Sequence, residues 1–282
     1  MDTNVVSFEE ATRARAPRAP VEVSLETLKA RQPVVPIAQC HAGLVNVTFD
    51  QRFKATTFRI FKDLSAGFPR GRKITILGHP ATGKSVMMDL LQRRLPPTKG
   101  QVIVNSNFGW QVNSMAFMDM PLPMRDNLRF LANVVGVPPG RFTGAVREFC
   151  DLGKRSFNDR MKDFPIWVRK RIAFLVVAAC NFDCHLIDGS FSPVQMKLEG
   201  ADADRVVDAI YGRDYIATVR LAKKVPPNCD LVYILFEGQL YAFDDVGLAT
   251  EVFQLLPPPS YGSGGRSEGD EDGDTEPDDF VL

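Results

Sequence analysis

The sequence predicts an α/β fold built on a largely parallel sheet. Three observations carry this. Strand-like and helix-like segments alternate from Gly43 onward, the apolar run Lys73–Leu77 opens into a glycine-bounded loop and then a helix, and a second apolar run, 184–187, ends in Asp188. Such alternation makes each helix a crossover between parallel neighbours.

Taken in order, residues 44–49 alternate as a half-buried strand does, and a second strand is expected at 57–61. Residues 73–77 read as a buried strand. Helical spacing of Val86, Met87, Leu90 and Leu91 predicts a helix over 85–94, ended by Pro96 and Pro97. Residues 100–104 form a further strand, and helices are expected at 125–135, 142–152 and 167–179. The strand 184–187 follows, then strands at 213–219 and 231–236 and a hairpin-like turn at 237–240.

Composition narrows the function classes. The chain has 282 residues, 45% of them hydrophobic, enough for one sizeable core or two small ones. Its 34 basic residues equal its 34 acidic ones, which argues against nucleic acid as a partner. Charge is nevertheless segregated. Residues 1–41 are Pro- and Arg-rich and read as a disordered arm, with a short helix possible at 25–30; residues 257–282 turn Pro/Gly/Ser-rich and then acidic, a disordered tail. Residues 42–256 are the expected folded domain. Met1 is followed by a polar stretch rather than a secretory signal, and the longest apolar run, 172–180, is about half the length a membrane helix needs. Five scattered cysteines suit a reducing compartment; Cys180, Cys184 and His185 lack zinc-knuckle spacing and lie in an apolar stretch.

The chemistry concentrates in Gly78-His79-Pro80-Ala81-Thr82-Gly83-Lys84-Ser85, which fits G-x-x-x-x-G-K-[ST] at every fixed position. Two glycines let backbone amides turn inward around phosphates, and Lys84 places a cation on the β/γ-phosphates. Ser85 offers a hydroxyl to Mg²⁺, and with Val86 it opens a helix whose positive end faces the anion. A strand before and a helix after supply the context this motif needs. The reading is a nucleoside triphosphate site, most simply ATP–Mg²⁺.

Several segments around this loop resemble ATP-binding cassette proteins. Val45-Asn46-Val47-Thr48 and Phe61-Lys62-Asp63-Leu64 precede it, and Lys99-Gly100-Gln101-Val102 follows as their antiparallel strand does. Met124-Arg125-Asp126-Asn127-Leu128-Arg129-Phe130, Phe182-Asp183-Cys184-His185-Leu186-Ile187-Asp188, Cys229-Asp230 and 238–245 are similar to the subgroup that exports capsular and related polysaccharides. The resemblance spans roughly residues 43–256. It implies a P-loop NTPase core with an antiparallel β subdomain and a helical subdomain at about 112–180. It also implies Mg²⁺ held by Ser85 and by the Walker B residue Asp188. The expected partners are an ABC-2-type transmembrane permease and a second cassette subunit, as homodimer or heterodimer. The expected place is peripheral, on the cytoplasmic face of a bacterial inner membrane.

The sequence departs from that pattern where hydrolysis is carried out. Gly189 stands where the resemblance implies a glutamate after Walker B, and Arg220 where it implies the switch histidine, nine residues before Cys229. Residues 164–169 replace the small polar signature with Pro, Ile, Trp and Val, putting Trp167 where a glycine is expected. Alignment sets Phe117 or Met118, not Gln111, at the Q-loop position, and the D-loop aspartate position falls near Gln195. Glu199 and Glu237 are nearby carboxylates, but neither directly follows the Walker B strand. A positioned acid or base contributes typically about 10²–10⁴-fold in rate. The expectation is therefore a chain that binds ATP with weak or absent hydrolysis. An active export ATPase and an unrelated P-loop NTPase or kinase stay as alternatives, although nothing marks a kinase lid arginine or acceptor site.

Overall fold

The computed structural model describes residues 36–258 apart from 55, 113–114, 153–156, 181 and 190. Both tails, and the short helix expected at 25–30, lie outside the described residues.

Two sheets share the chain. The first is antiparallel, order β2-β1-β4, from β1 (Cys40–Phe53), β2 (Thr56–Pro69) and β4 (Lys99–Val104). The second has six strands in the order β5-β6-β7-β3-β8-β9: β5 (Phe108–Gln111), β6 (Cys184–Asp188), β7 (Tyr215–Val219), β3 (Lys73–Leu77), β8 (Leu231–Phe236) and β9 (Gln239–Phe243). All its pairings are parallel except β8 with β9. The inner strands β7 and β8 are buried at every position, as strands covered on both faces must be.

The helices are α1 (Lys84–Leu91), α2 (Met124–Val135), α3 (Pro139–Phe149), α4 (Ile166–Ala179), α5 (Gly200–Tyr211) and α6 (Val246–Leu255). α1 buries Met87, Met88, Leu90 and Leu91 between the two sheets, against Ile74, Ile76 and Tyr233 on one side and Leu44, Phe61 and Leu64 on the other. α2, α3 and α4 build a separate core around Leu128, Leu131, Val146, Val168, Ile172 and Val176. Cys184 belongs to the main core. His185 is buried in β6, where burial pushes its imidazole pKa down to about 4.

Four details correct the sequence reading. α1 ends at Leu91, not at residue 94, because Arg93 takes a left-handed φ of 57° and Arg94 N–H reaches back to Asp89 O at 2.8 Å. That is the helix-ending motif usually made with glycine. α3 begins at Pro139, preorganised for a first helical position, and stops at Phe149 rather than at 152. Glu237 and Gly238, at φ 48° and 72°, make the two-residue turn of a hairpin whose second strand, β9, begins at Gln239 inside the segment read as turn. β5, α5 and α6 were not anticipated. α6 is nucleated by Asp245, whose carboxylate accepts Leu248 N–H at 3.0 Å.

Candidate nucleotide-binding site

Parallel strands bring their C-terminal ends to one edge, and the sequence motifs meet there. β3 ends at Leu77, paired with Val219 of β7, and Gly78 N–H donates to Val219 O at 3.2 Å. β6 ends at Asp188, paired with Thr218. The loop 78–83, Asp188, Gly189 and Arg220 therefore stand side by side on successive strands about 4.8 Å apart. Ser85 is exposed in the first turn of α1, and Val86 below it packs partly on the main core.

The loop is shaped by its residue types. Gly83 has φ 97°, and a Cβ there would approach Ile60 Cγ2 to 2.4 Å, so only glycine fits. Ala81 also takes positive φ, 61°, at the exposed tip beside Pro80. Thr82 Oγ1 donates to His79 O at 2.9 Å and braces the turn from inside. The His79 ring stacks on Phe253 of α6 at 4.5 Å, with Nε2 3.3 Å from Leu256 O, which fixes the loop's outer wall to the C-terminal helix. No side chain caps the N-terminus of α1, leaving its first amides for an anion.

Lys84 is only 7% exposed and threads back under the loop, its Nζ donating to Gly78 O at 2.7 Å and His79 O at 2.6 Å. Burial first, and then the positive charge of Arg220, lower its pKa to about 8; Asp188 pulls the other way. Arg220, the residue after β7, thus adds a second cation to this edge. An ammonium buried beside a guanidinium and below uncapped amides fits a polyphosphate.

Across the sheet, Thr218 is buried and bonds twice. Its Oγ1 donates to Asp188 Oδ1 at 2.5 Å and accepts Gly189 N–H at 3.1 Å. This residue was not singled out from sequence; its signal would have been its place in β7 two residues before Arg220. Gly189 has φ 80°, with open space where a Cβ would be. A side chain would meet no clash there, but an L-residue would carry the left-handed penalty of roughly 1–2 kcal/mol.

The remaining sequence-marked residues fall elsewhere. Gln111 ends β5, paired with Leu186 two residues before Asp188, and lines a cleft beside the C-terminal end of α1 rather than the phosphate loop. Phe117 instead stacks on Trp110 at 4.9 Å, and Met118 is buried among the helices. α4 begins at Ile166 behind Pro165, and Trp167 lies under the cations of Arg171 (4.9 Å) and Lys197 (5.6 Å). Gln195 takes a hydrogen bond from Lys170 of α4. Glu199 precedes α5 and Glu237 sits in the β8–β9 turn; both are exposed.

No family model matches the chain. Curated relatives do. The capsule polysaccharide export ATP-binding protein CtrD of Neisseria meningitidis serogroup B is 26% identical over 198 residues, which span 70% of this chain and 91% of CtrD. The polysialic acid transport ATP-binding protein KpsT of Escherichia coli is 27% identical over 198 residues, 69% of this chain and 90% of KpsT. Among solved structures, the ATP-binding cassette MJ0796 bound to ADP and Pi in a post-hydrolysis state superposes with a TM-score of 0.54 at 14% identity, covering 72% of this chain and 98% of that one. Parallel core, antiparallel sheet and helical layer give the chain the fold of ATP-binding cassette domains, and in sequence it is similar to the ATP-binding proteins of capsule polysaccharide export.

Proposed function

We propose that this chain is the ATP-binding subunit of a polysaccharide exporter, holding ATP–Mg²⁺ at Gly78–Val86 and turning it over slowly or not at all. The names of its relatives support the export role. The observation that carries the slow-turnover reading is the contrast between an intact phosphate loop and Gly189, a left-handed glycine beside the Walker B carboxylate.

In this reading the amides of residues 81–86 and the Lys84 ammonium bind the phosphates. Arg220 neutralises further charge and, being permanently protonated, shuttles no proton. Ser85 and Asp188 would hold Mg²⁺, with Thr218 fixing the carboxylate's orientation. The metal's contribution is to draw charge from the phosphates when bound. No described carboxylate directly follows Asp188 to position an attacking water. The binding unit is residues 42–256, with helices between about 112 and 180 as its lateral layer.

Function as a subunit further implies a membrane permease, of ABC-2 type, and pairing with a second cassette subunit at the inner face of the bacterial inner membrane. No described helix is long and apolar enough to cross a membrane. The deciding measurement is steady-state phosphate release beside a Lys84→Ala control. Nucleotide binding lost in the control, with turnover far below about 1 s⁻¹ in the parent chain, supports the proposal. Turnover near that rate, abolished by Lys84→Ala, establishes an active export ATPase instead.

A further inference from the structure

Away from the phosphate loop, a cleft of about 590 Å³ opens between the C-terminal end of α1 and the β4–β5 edge. Its apolar wall includes Leu91, Phe108, and the stacked pair Trp110 and Phe117, whose ring centroids are 4.9 Å apart. Its rim is basic. The left-handed turn at Arg93 throws Arg93 and Arg94 onto one side, both exposed, with Arg94 3.3 Å from its helix neighbour Asp89. An aromatic wall beneath two arginines fits an acidic segment carrying an aromatic anchor.

The chain contains one. Residues 262–279 include no Val, Ile, Leu, Met or aromatic residue, and eight acidic residues against a single arginine lie between 259 and 282. Apolar character returns only at Phe280-Val281-Leu282, directly after Asp278-Asp279. We propose that Asp278–Leu282 of the same chain occupies this cleft, its carboxylates against Arg93 and Arg94 and Phe280 against Trp110 and Phe117. The segment thereby covers a surface that any partner would have to uncover.

The reach is sufficient. α6 packs on β8 and β9, at one edge of the six-stranded sheet, and the cleft lies beyond β5 at the other. Five interstrand spacings amount to about 24 Å across the sheet, and the eight residues of α1, which run from the phosphate loop to the cleft, add about 12 Å along it. From Pro258 to Asp278 there are twenty residues. A Gly/Ser-rich chain of that length averages about 25 Å end to end and extends to about 65 Å at most. Tethering at that match gives an effective concentration in the millimolar range, so weak contacts suffice.

The test uses the full chain with Phe280→p-benzoylphenylalanine, irradiated at high dilution and mapped by mass spectrometry. The expected cross-link joins position 280 to residues 91–94 or 108–117 of the same molecule. Arg93→Glu with Arg94→Glu lowers its yield roughly fivefold, as losing two exposed ion pairs would. Asp278→Lys with Asp279→Lys restores it. The idea fails if the link maps elsewhere, if no link forms, if charge reversal leaves the yield unchanged, or if mixed isotope-labelled chains show links between copies or to another protein. ATP-induced thermal stabilisation, read on the same variants, checks that they fold. It also keeps this outcome separate from the phosphate-release test.

Discussion

The two ends of the central sheet handle charge in opposite ways. Where β3, β7 and β8 begin, polar groups close on one another. His41 bridges Ser106 Oγ and Asp214 Oδ2, each at 2.8 Å, and the same carboxylate oxygen accepts Gly71 N–H at 2.6 Å. Arg72 pairs with Asp230 and Asp244 at 2.8 and 2.7 Å. Where the strands end, cations gather instead: Lys84 is buried within the field of Arg220, with Asp188 as the opposing charge, and its ammonium is held by the carbonyls of Gly78 and His79. Charges satisfied internally tie elements together. Charges left in excess are poised for a ligand of opposite sign.

The contrast can be broken by substitution. The largest effect is expected for Lys84→Ala, which removes charge-assisted bonds to phosphate and should weaken ATP by about a hundredfold. Calorimetric titration measures this directly, and the thermal stabilisation given by saturating ATP should vanish with it. His41→Ala should instead cost about 2 kcal/mol in urea unfolding, by removing a buried ring and its two hydrogen bonds to Ser106 and Asp214, while ATP affinity stays within about twofold. Matching losses in stability and affinity would show that the two ends are not separate. Thr218→Val unties Asp188 and orphans Gly189 N–H. About a tenfold higher Mg²⁺ requirement for ATP binding is expected, as for the loss of a ligand's supporting hydrogen bond.

Smaller effects sharpen the picture. Because Lys84 titrates near 8 in the free protein, the protonated form that binds phosphate is depleted above that pH. ATP affinity should be flat below pH 7 and fall about threefold between pH 7.5 and 8.5. A profile unchanged to pH 9 would mean that the burial of Lys84 is relieved in solution. Arg72→Ala should alter stability least, by less than about 1 kcal/mol in chemical denaturation, because both its partners are exposed.

Much of this was readable from sequence, unevenly. β3 and β8 have the bounds expected, since continuous apolar runs between turn residues leave little choice of register. β5 was missed because Phe108-Gly109-Trp110-Gln111 is short and its pairing with β6 is long-range. α5 was missed because its charged face outweighs Val206 and Ile210, its two fully buried positions. The loop 78–85 was legible because phosphate chemistry constrains consecutive residues. Thr218 was not, because it acquires its place through a neighbouring strand.

Sequence alone determined what is local: the backbone freedom of Gly83, the charge of Lys84, the absence of a side chain at Gly189 and the acidic run before Phe280. Tertiary structure decided what is collective. Parallel pairing of β3, β7 and β6 set Lys84, Arg220 and Asp188 at one edge although they lie far apart in the chain. Burial then lowered the pKa of Lys84, and Thr218 acquired two partners on a neighbouring strand. A residue's type sets the chemistry it can perform. Only the sheet, by enforcing which strands are neighbours, sets the field and the partners it performs it with.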